Sequence, residues 1–164
     1  PVNIPSVITY EEDAPALSPL IVANTTVTSI IAPVPMTFTA PASCQMTVRI
    51  PDTACKVIKS IRMYPGNMSW KGRFAFSGTY DVFTKEITED PATVSKSITV
   101  DFGPDGHEMK PGYLVVSFLM GEAKYVTGGV KLEVTDIDGV TTVKEMYNAR
   151  QTFDAGSSYT YTMK

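Results

Sequence analysis

Apolar and polar residues alternate along much of this chain, and the clearest alternation lies near its C-terminal end. Val130, Leu132 and Val134 interleave with Lys131, Glu133 and Thr135, the period of a strand buried on one face. Asp138-Gly139 follows, a dipeptide that favours a tight hairpin because both residues tolerate positive φ. Closing the chain on these two residues predicts Val134 opposite Val143 on one face. On the other face it sets Glu133 opposite Lys144, a cross-strand pair of opposite charge. Leu132 would then meet Glu145, an imperfect match. After a loop at Asp154-Ala155-Gly156, Tyr159, Tyr161 and Met163 share one face, and Thr160 and Thr162 the other. A last strand of that kind most simply closes a β-sandwich.

From the start of the chain, Pro1 to Pro19 forms a Pro-broken lead. Its acidic run, Glu11-Glu12-Asp13, reads as a solvated loop, because adjacent carboxylates cannot converge on a cation without partners elsewhere. Such a lead is expected to sit loosely on a sheet edge in the N-terminal half. Leu20 to Ile31 reads as one or two strands around Asn24-Thr25-Thr26, and Met36 to Thr39 as another. Gln45 to Ile50 alternates cleanly. Past a turn at Pro51 to Ala54, Val57 to Met63 reads as a strand lying next to it. Arg73 to Gly78 and Tyr80 to Phe83 follow as strands, with Phe74 and Phe76 on one face. Lys96 to Phe102 alternates ahead of the turn Gly103-Pro104-Asp105-Gly106. Tyr113 to Met120 is nearly all apolar, as a central strand covered on both faces would be. Its β-branched Val115 and Val116 favour a strand over a short helix. Strands recur about every ten to twelve residues, which predicts an all-β antiparallel sandwich of about seven to nine strands.

Composition narrows the function. At 164 residues the chain can bury one good core, so a single domain over 1–164, with 1–19 as its lead, is expected. A net charge of −3 argues against nucleic acid as a partner. No stretch is long and apolar enough to cross a membrane. The opening at Pro1 without a signal peptide fits a mature fragment whose targeting information lies ahead of it.

Candidate chemistry is sparse. Zinc takes about four ligands and the chain has one histidine, so no metal or other cofactor is expected. A catalytic cysteine needs a base. The one candidate, His107, falls in Asp105-Gly106-His107-Glu108, read as a solvated turn. Cys44 and Cys55 are then either a buried thiol pair or a disulfide. Outside the cytoplasm a bridge closing this short loop would add about 3 kcal/mol, although in the simplest hairpin the two do not face each other. There is no Gly-rich phosphate loop, nucleophile elbow or paired metal motif. Asp136-Ile137-Asp138-Gly139 resembles the start of a calcium loop, but the later glutamate is not at EF-hand spacing and a hairpin accounts for it. No catalytic residue is assigned. In Trp70-Lys71-Gly72-Arg73 an exposed aromatic could stack on a sugar, but an edge aromatic packed over the core is the favoured reading.

Four short segments add a further signal through their order. Ile58-Lys59-Ser60-Ile61-Arg62-Met63 is followed by Phe76-Ser77-Gly78, then by Gly128 to Gly139 (GGVKLEVTDIDG), then by Thr152 to Tyr161 (TFDAGSSYTY). The set resembles the fimbrillin-like proteins of Bacteroidales, a family of pilins and pilus anchors, over roughly Gln45 to Met163. In that family an I-x-S-I/V strand precedes a short strand ending in S-G. A strand reaching D-x-D-G comes next, and F-x-A-G-x-x-Y-x-Y closes the domain. Ser18-Pro19-Leu20-Ile21-Val22-Ala23 resembles the segment that enters such a domain.

The resemblance implies a transthyretin-like β-sandwich, export through a lipoprotein signal, and display on the outer membrane. In the family, subunits of two such domains polymerise when a strand of one fills a groove of the next, which is β-augmentation of an open edge. This chain has the length of one domain and closes one residue after its last strand, so a role as one domain of a longer pilin, as a terminal subunit or as a non-polymerising surface lipoprotein is expected. The function it implies is that of a non-enzymatic structural or adhesive surface protein. Its partners would be other pilin subunits or host or bacterial surface receptors, with membrane contact only through a lipid anchor outside this chain. One alternative is a glycan-binding module of a surface nutrient-uptake system, using Trp70 and Tyr125; another is a secreted hydrolase with acidic residues converging in a cleft. The resemblance also implies O-glycosylation at Thr53, since exported proteins of these bacteria carry glycans at Asp-Thr/Ser followed by a small or apolar residue. Asp52-Thr53-Ala54 matches that pattern in a turn where a bulky group can point to water.

Overall fold

A computed structural model describes residues 1–12, 20–23 and 38–164. Asp13, Ser18-Pro19, Asn24-Thr25-Thr26 and Met36-Thr37 lie outside the described residues. The strands in chain order are β1 (Val2–Ile4), β2 (Val7–Thr9), β3 (Val22–Ala23), β4 (Phe38–Thr39), β5 (Ser43–Pro51), β6 (Val57–Pro65), β7 (Phe76–Tyr80) and β8 (Ile87–Glu89). They continue with β9 (Ile98–Asp101), β10 (His107–Glu108), β11 (Tyr113–Gly121), β12 (Ala123–Val126), β13 (Val130–Asp136), β14 (Thr141–Tyr147), β15 (Gln151–Phe153) and β16 (Ser158–Thr162). One 3-10 turn, Pro91–Thr93, is capped by the Asp90 carboxylate on the Ala92 amide.

The fold is an all-β sandwich. Its larger sheet runs β14-β13-β6-β9-β2, with β10 also on β6, and it shares one core with the three-stranded sheets β11-β5-β16 and β1-β7-β8. Smaller pairs, β12-β15 and β3-β4, complete it. The inward side chains of these sheets merge into one apolar core. Met46, Val48 and Ile50 of β5 meet Ile61 and Met63 of β6, Val116 and Phe118 of β11, and Val130, Leu132 and Val134 of β13 there. Alternation produces this directly, since in each of these strands every second residue is buried. In β6 the phase changes at a bulge. Ser60 pairs with Thr135 but Ile58 with Asp136, leaving Lys59 as the extra residue, so Ile58 and Ile61 can both face the core. A second bulge on β14 at Met146 turns that side chain into the core in the same way.

The structure corrects several sequence expectations. The β13–β14 hairpin is one residue out of the expected register: Val134 faces Thr142, Glu133 faces Val143 and Leu132 faces Lys144. The cause is a three-residue turn, Ile137-Asp138-Gly139, in place of a two-residue one. The Asp136 carboxylate accepts hydrogen bonds from the Asp138 and Val140 amides at 2.9 and 2.8 Å, and Gly139 takes φ +83°. A short acidic side chain at the turn entrance thus extends the loop. Strands β5 and β6 are not neighbours. They belong to different sheets, because β5 pairs with β11 and β16 while β6 pairs with β13, β9 and β10.

β11 is an edge strand, not a central one: its inner face is buried and Tyr113, Val115 and Ser117 are exposed. The strand expected over Tyr80 to Phe83 stops at Tyr80, where the Asp81 carboxylate accepts from the Phe83 and Thr84 amides. The pairing is not wholly antiparallel, since β2 lies parallel to β9 and β16 parallel to β5. Nor is the described part of the lead, residues 1–12, loose. β1 pairs with β7, β2 pairs with β9, and Val2 and Ile4 are buried. More strands form than expected because many of them have only two to five residues.

The burial of Leu132 at the centre of β13 yields a direct test. Leu132→Ala is expected to lower stability by about 2–5 kcal/mol, read as a reduced denaturant midpoint at unchanged slope.

Candidate functional site

Where the β6–β13 ladder ends, the chain crosses itself closely. The Gly66 amide donates to the Gly129 carbonyl at 2.9 Å and the Asn67 amide to the Thr127 carbonyl at 3.1 Å. A β-carbon on Gly66 would stand 1.8 Å from the Gly128 carbonyl oxygen, so the backbone alone fits. Beyond this crossing the two segments diverge and wall a cleft of about 600 Å³. One wall is Asn67 to Arg73, following β6; the other is Glu122 to Thr127, around β12.

Trp70 lies at the base of the cleft and is 8% exposed. Its ring packs 5.2 Å from Phe74, and its indole N–H donates to the Lys124 carbonyl at 3.1 Å. Gly72 passes so close that an added β-carbon would lie 2.1 Å from the indole. Trp70 is therefore the packed edge aromatic that the sequence favours, and not an exposed sugar platform. Its polar edge is satisfied by a backbone carbonyl, as a buried indole requires.

Tyr125 shares the cleft with Trp70, so the structure brings the two expected aromatics together. It is 59% exposed and takes φ +54°, in the left-handed region that a bulky residue rarely occupies. The β12–β15 register shifts here, with Ala123 opposite Phe153 and Val126 opposite Gln151. The Tyr125 amide donates to the Thr152 hydroxyl at 3.3 Å, and the Arg150 guanidinium sits 4.2 Å over the phenol ring. Such strain persists only where the surroundings impose it, and it gathers at functional sites.

Charge around the cleft is mostly paired. Arg73 binds the Glu89 carboxylate, donates to the Glu122 carbonyl at 2.8 Å and stacks on Phe76. Lys124 pairs with Asp154 and with Glu122. Asp154, then Glu122, holds its ammonium well above the usual lysine range. Lys71, by contrast, is exposed and makes no ion pair among the described residues. Neither Lys71 nor Arg150 was marked by the sequence. The side-chain partners of Arg150 come from across a sheet, and the isolation of Lys71 is a property of its surroundings.

No protein-family model matches this chain, and neither does any curated protein. Among solved structures it is similar to a "putative cell adhesion protein" of Bacteroides ovatus, at 14% identity and a TM-score of 0.42. That match covers 77% of this chain and 41% of the other, so the chain spans less than half the length of that relative.

The remaining candidates are scattered. Thr53 is exposed in the turn closed by the Ala54 amide on the Pro51 carbonyl at 3.0 Å. Cys44 and Cys55 are both free. The continuous strand β5 separates them: at about 3.3 Å per residue it places them roughly 20 Å apart, far beyond the reach of a disulfide. His107 is in strand β10 and not in a solvated turn, with its ring 5.2 Å from Tyr10 and 6.0 Å from Phe102. Glu12 pairs with Lys110 at 2.6 Å. Among the described residues no three His, Cys, Asp or Glu side chains gather as metal ligands, and no helix is long and apolar enough to cross a membrane.

The cysteines differ in reactivity. Burial pushes the Cys44 thiol up to about 12, and it raises Cys55, which is only half-buried, as well. The thiolate is the reactive form. Iodoacetamide at about pH 8 is therefore expected to modify Cys55 slowly and Cys44 only after denaturation. Equal labelling of both in the native protein, read by peptide mass, would contradict this placement.

Proposed function

We propose that this chain is a non-enzymatic structural or adhesive domain of an exported surface protein, able to accept a strand from a neighbouring subunit at an open sheet edge. The geometry of β14 carries this reading. It borders the larger sheet, and among the described residues nothing pairs with its outer side. The Asp136 amide donates to the Val140 carbonyl. Hydrogen-bonded pairs then alternate along the hairpin, which turns the backbone groups of Thr141, Val143 and Glu145 outward. One of these acceptors, the Glu145 carbonyl, already takes the Tyr161 hydroxyl of β16 at 3.3 Å. β16 likewise has a strand on one side only, so two edges lie side by side. Tyr147, Tyr159 and Tyr161 are half-buried between them, and burial raises the hydroxyl pKa of Tyr147 and Tyr161. An edge of this length with few blocking features is one that another strand can extend. The ordered motif resemblance over Gln45 to Met163 supports the same reading.

Proline at an outward-facing edge position removes a free donor without breaking the native ladder. Val143→Pro is thus expected to remain folded, with little loss of stability. In the native host it should leave the high-mass surface assemblies that the unaltered protein enters. Intact-cell protease shaving gives the location, and size fractionation gives the assembly. A Val143→Pro protein that still enters such assemblies would rule out this edge.

Export has its own signature at Thr53. Protein from the native host is expected to carry additional mass that a Thr53→Ala variant lacks. A native mass equal to that of the bare chain would end the assignment.

A further inference from the structure

We infer that the cleft beside Tyr125 binds a saccharide carrying a carboxylate, with Tyr125 as the stacking surface and Lys71 as the counter-charge. This deepens the adhesive reading, on which it rests, by naming the class of ligand. Four observations support it together. The cleft is about 600 Å³, within the range of sites that hold small ligands. Tyr125 is held in a strained backbone conformation and is more than half exposed, and the Arg150 guanidinium lies 4.2 Å over one face of its ring, so a sugar would stack on the other. An aromatic face carries partial negative charge, so it attracts the polarised C–H groups on the apolar face of a pyranose.

The rim supplies small polar groups, Asn67, Ser69 and Thr127. Asn67 is fixed by its carbonyl oxygen, which accepts the Ser69 amide at 2.9 Å, leaving its amide N–H₂ to donate to a sugar hydroxyl. Charge selects among sugars. Arg73 and Lys124 are held by three carboxylates, Glu89, Glu122 and Asp154, so the excess positive charge at the cleft comes from Lys71 together with Arg150, neither of which makes an ion pair among the described residues. An anionic ligand would complete the pairing, and a neutral one would leave Lys71 in water at no gain.

The apolar floor gives specificity of shape. Trp70 and Gly72 are packed together without room for a β-carbon on Gly72, so the base is rigid and the ligand must fit above it. No covalent step is involved.

The test is binding of the purified chain to oligosaccharides containing glucuronate or galacturonate, beside matched neutral oligosaccharides, by calorimetry or glycan array. The acidic series is expected to bind, more weakly as salt is raised. Tyr125→Gly should bind about tenfold more weakly, the equivalent of one lost stacking contact. Glycine accepts φ +54° without strain, so this variant folds and its unfolding midpoint checks that. Tyr125→Phe should retain binding. Lys71→Gln should weaken the preference for acidic over neutral sugars and lower the salt dependence, and the Lys71→Gln/Arg150→Gln double variant should abolish both. Equal binding of both series, or a Lys71→Gln variant that keeps the preference undiminished, overturns the inference. So does an absence of binding to either series. Val143→Pro leaves the cleft intact, so surface assembly that depends on Val143 while no saccharide binds would sink this inference and spare the adhesive reading.

Discussion

The antiparallel ladder between β6 and β13 is the constraint on which the rest of the molecule depends. Ile61, Met63, Leu132 and Val134 are almost wholly buried along it, and β9, β10 and β14 are hydrogen-bonded to one or the other of its strands. Burying such side chains is worth roughly 1.5–3 kcal/mol each, so the ladder is also where much of the core energy gathers. The bulge at Lys59 keeps it in phase. The extra residue uses its carbonyl to accept the Phe102 amide at 3.0 Å and its ammonium to reach the Gly103 carbonyl, tying the end of β9 to the same point. At the opposite end the glycine crossing of Gly66 with Gly128 and Gly129 fixes how the chain leaves. Both walls of the cleft start there, so the geometry of the candidate site follows from the ladder.

Much of this was legible in the alternation of residues. The strands β5, β6, β9 and β13 were correctly read, and for β13 also its buried face of Val130, Leu132 and Val134, because strand period depends on local sequence. What failed was decided by non-local or side-chain detail. The hairpin register turned on a single carboxylate, Asp136, whose two hydrogen bonds lengthen the turn. Separation of β5 from β6 into two sheets depends on partners more than fifty residues away, Tyr113 to Gly121 for β5 and Val130 to Asp136 for β6. Trp70 packs over the core as the sequence favours, and only the distant Lys124 carbonyl that meets its N–H was invisible there. Tyr125 was named as a candidate aromatic, but its left-handed backbone left no sign in the sequence, where glycine or asparagine would be expected.

Two surfaces emerge with different physical character. The β14 edge offers backbone donors and acceptors in a regular row, and so suits a partner read by main-chain pairing with limited sequence demand. The cleft offers a few side chains in fixed positions and suits a small ligand. They sit at adjoining regions, since Val130, next to the glycine crossing, pairs with Tyr147 at the end of β14. From Tyr147 the edge runs away from the cleft toward Thr141. A strand laid along it would therefore leave the cleft open, and one molecule could hold a neighbour and a ligand together.

The parallel pairing of β16 with β5 bears on how the chain is made. Ser158 and Gln45, partners in that ladder, are 113 residues apart. At about 5–20 residues per second, the ribosome delivers the second roughly 6–20 s after the first. Through that interval one side of β5 has no native neighbour, although Met46, Val48 and Ile50 are among the most buried side chains of the finished molecule. The sheet β11-β5-β16 cannot be completed before β16 has been made. Pairing across so long a stretch of chain slows folding, and until β16 arrives that edge of β5 is open to other strands.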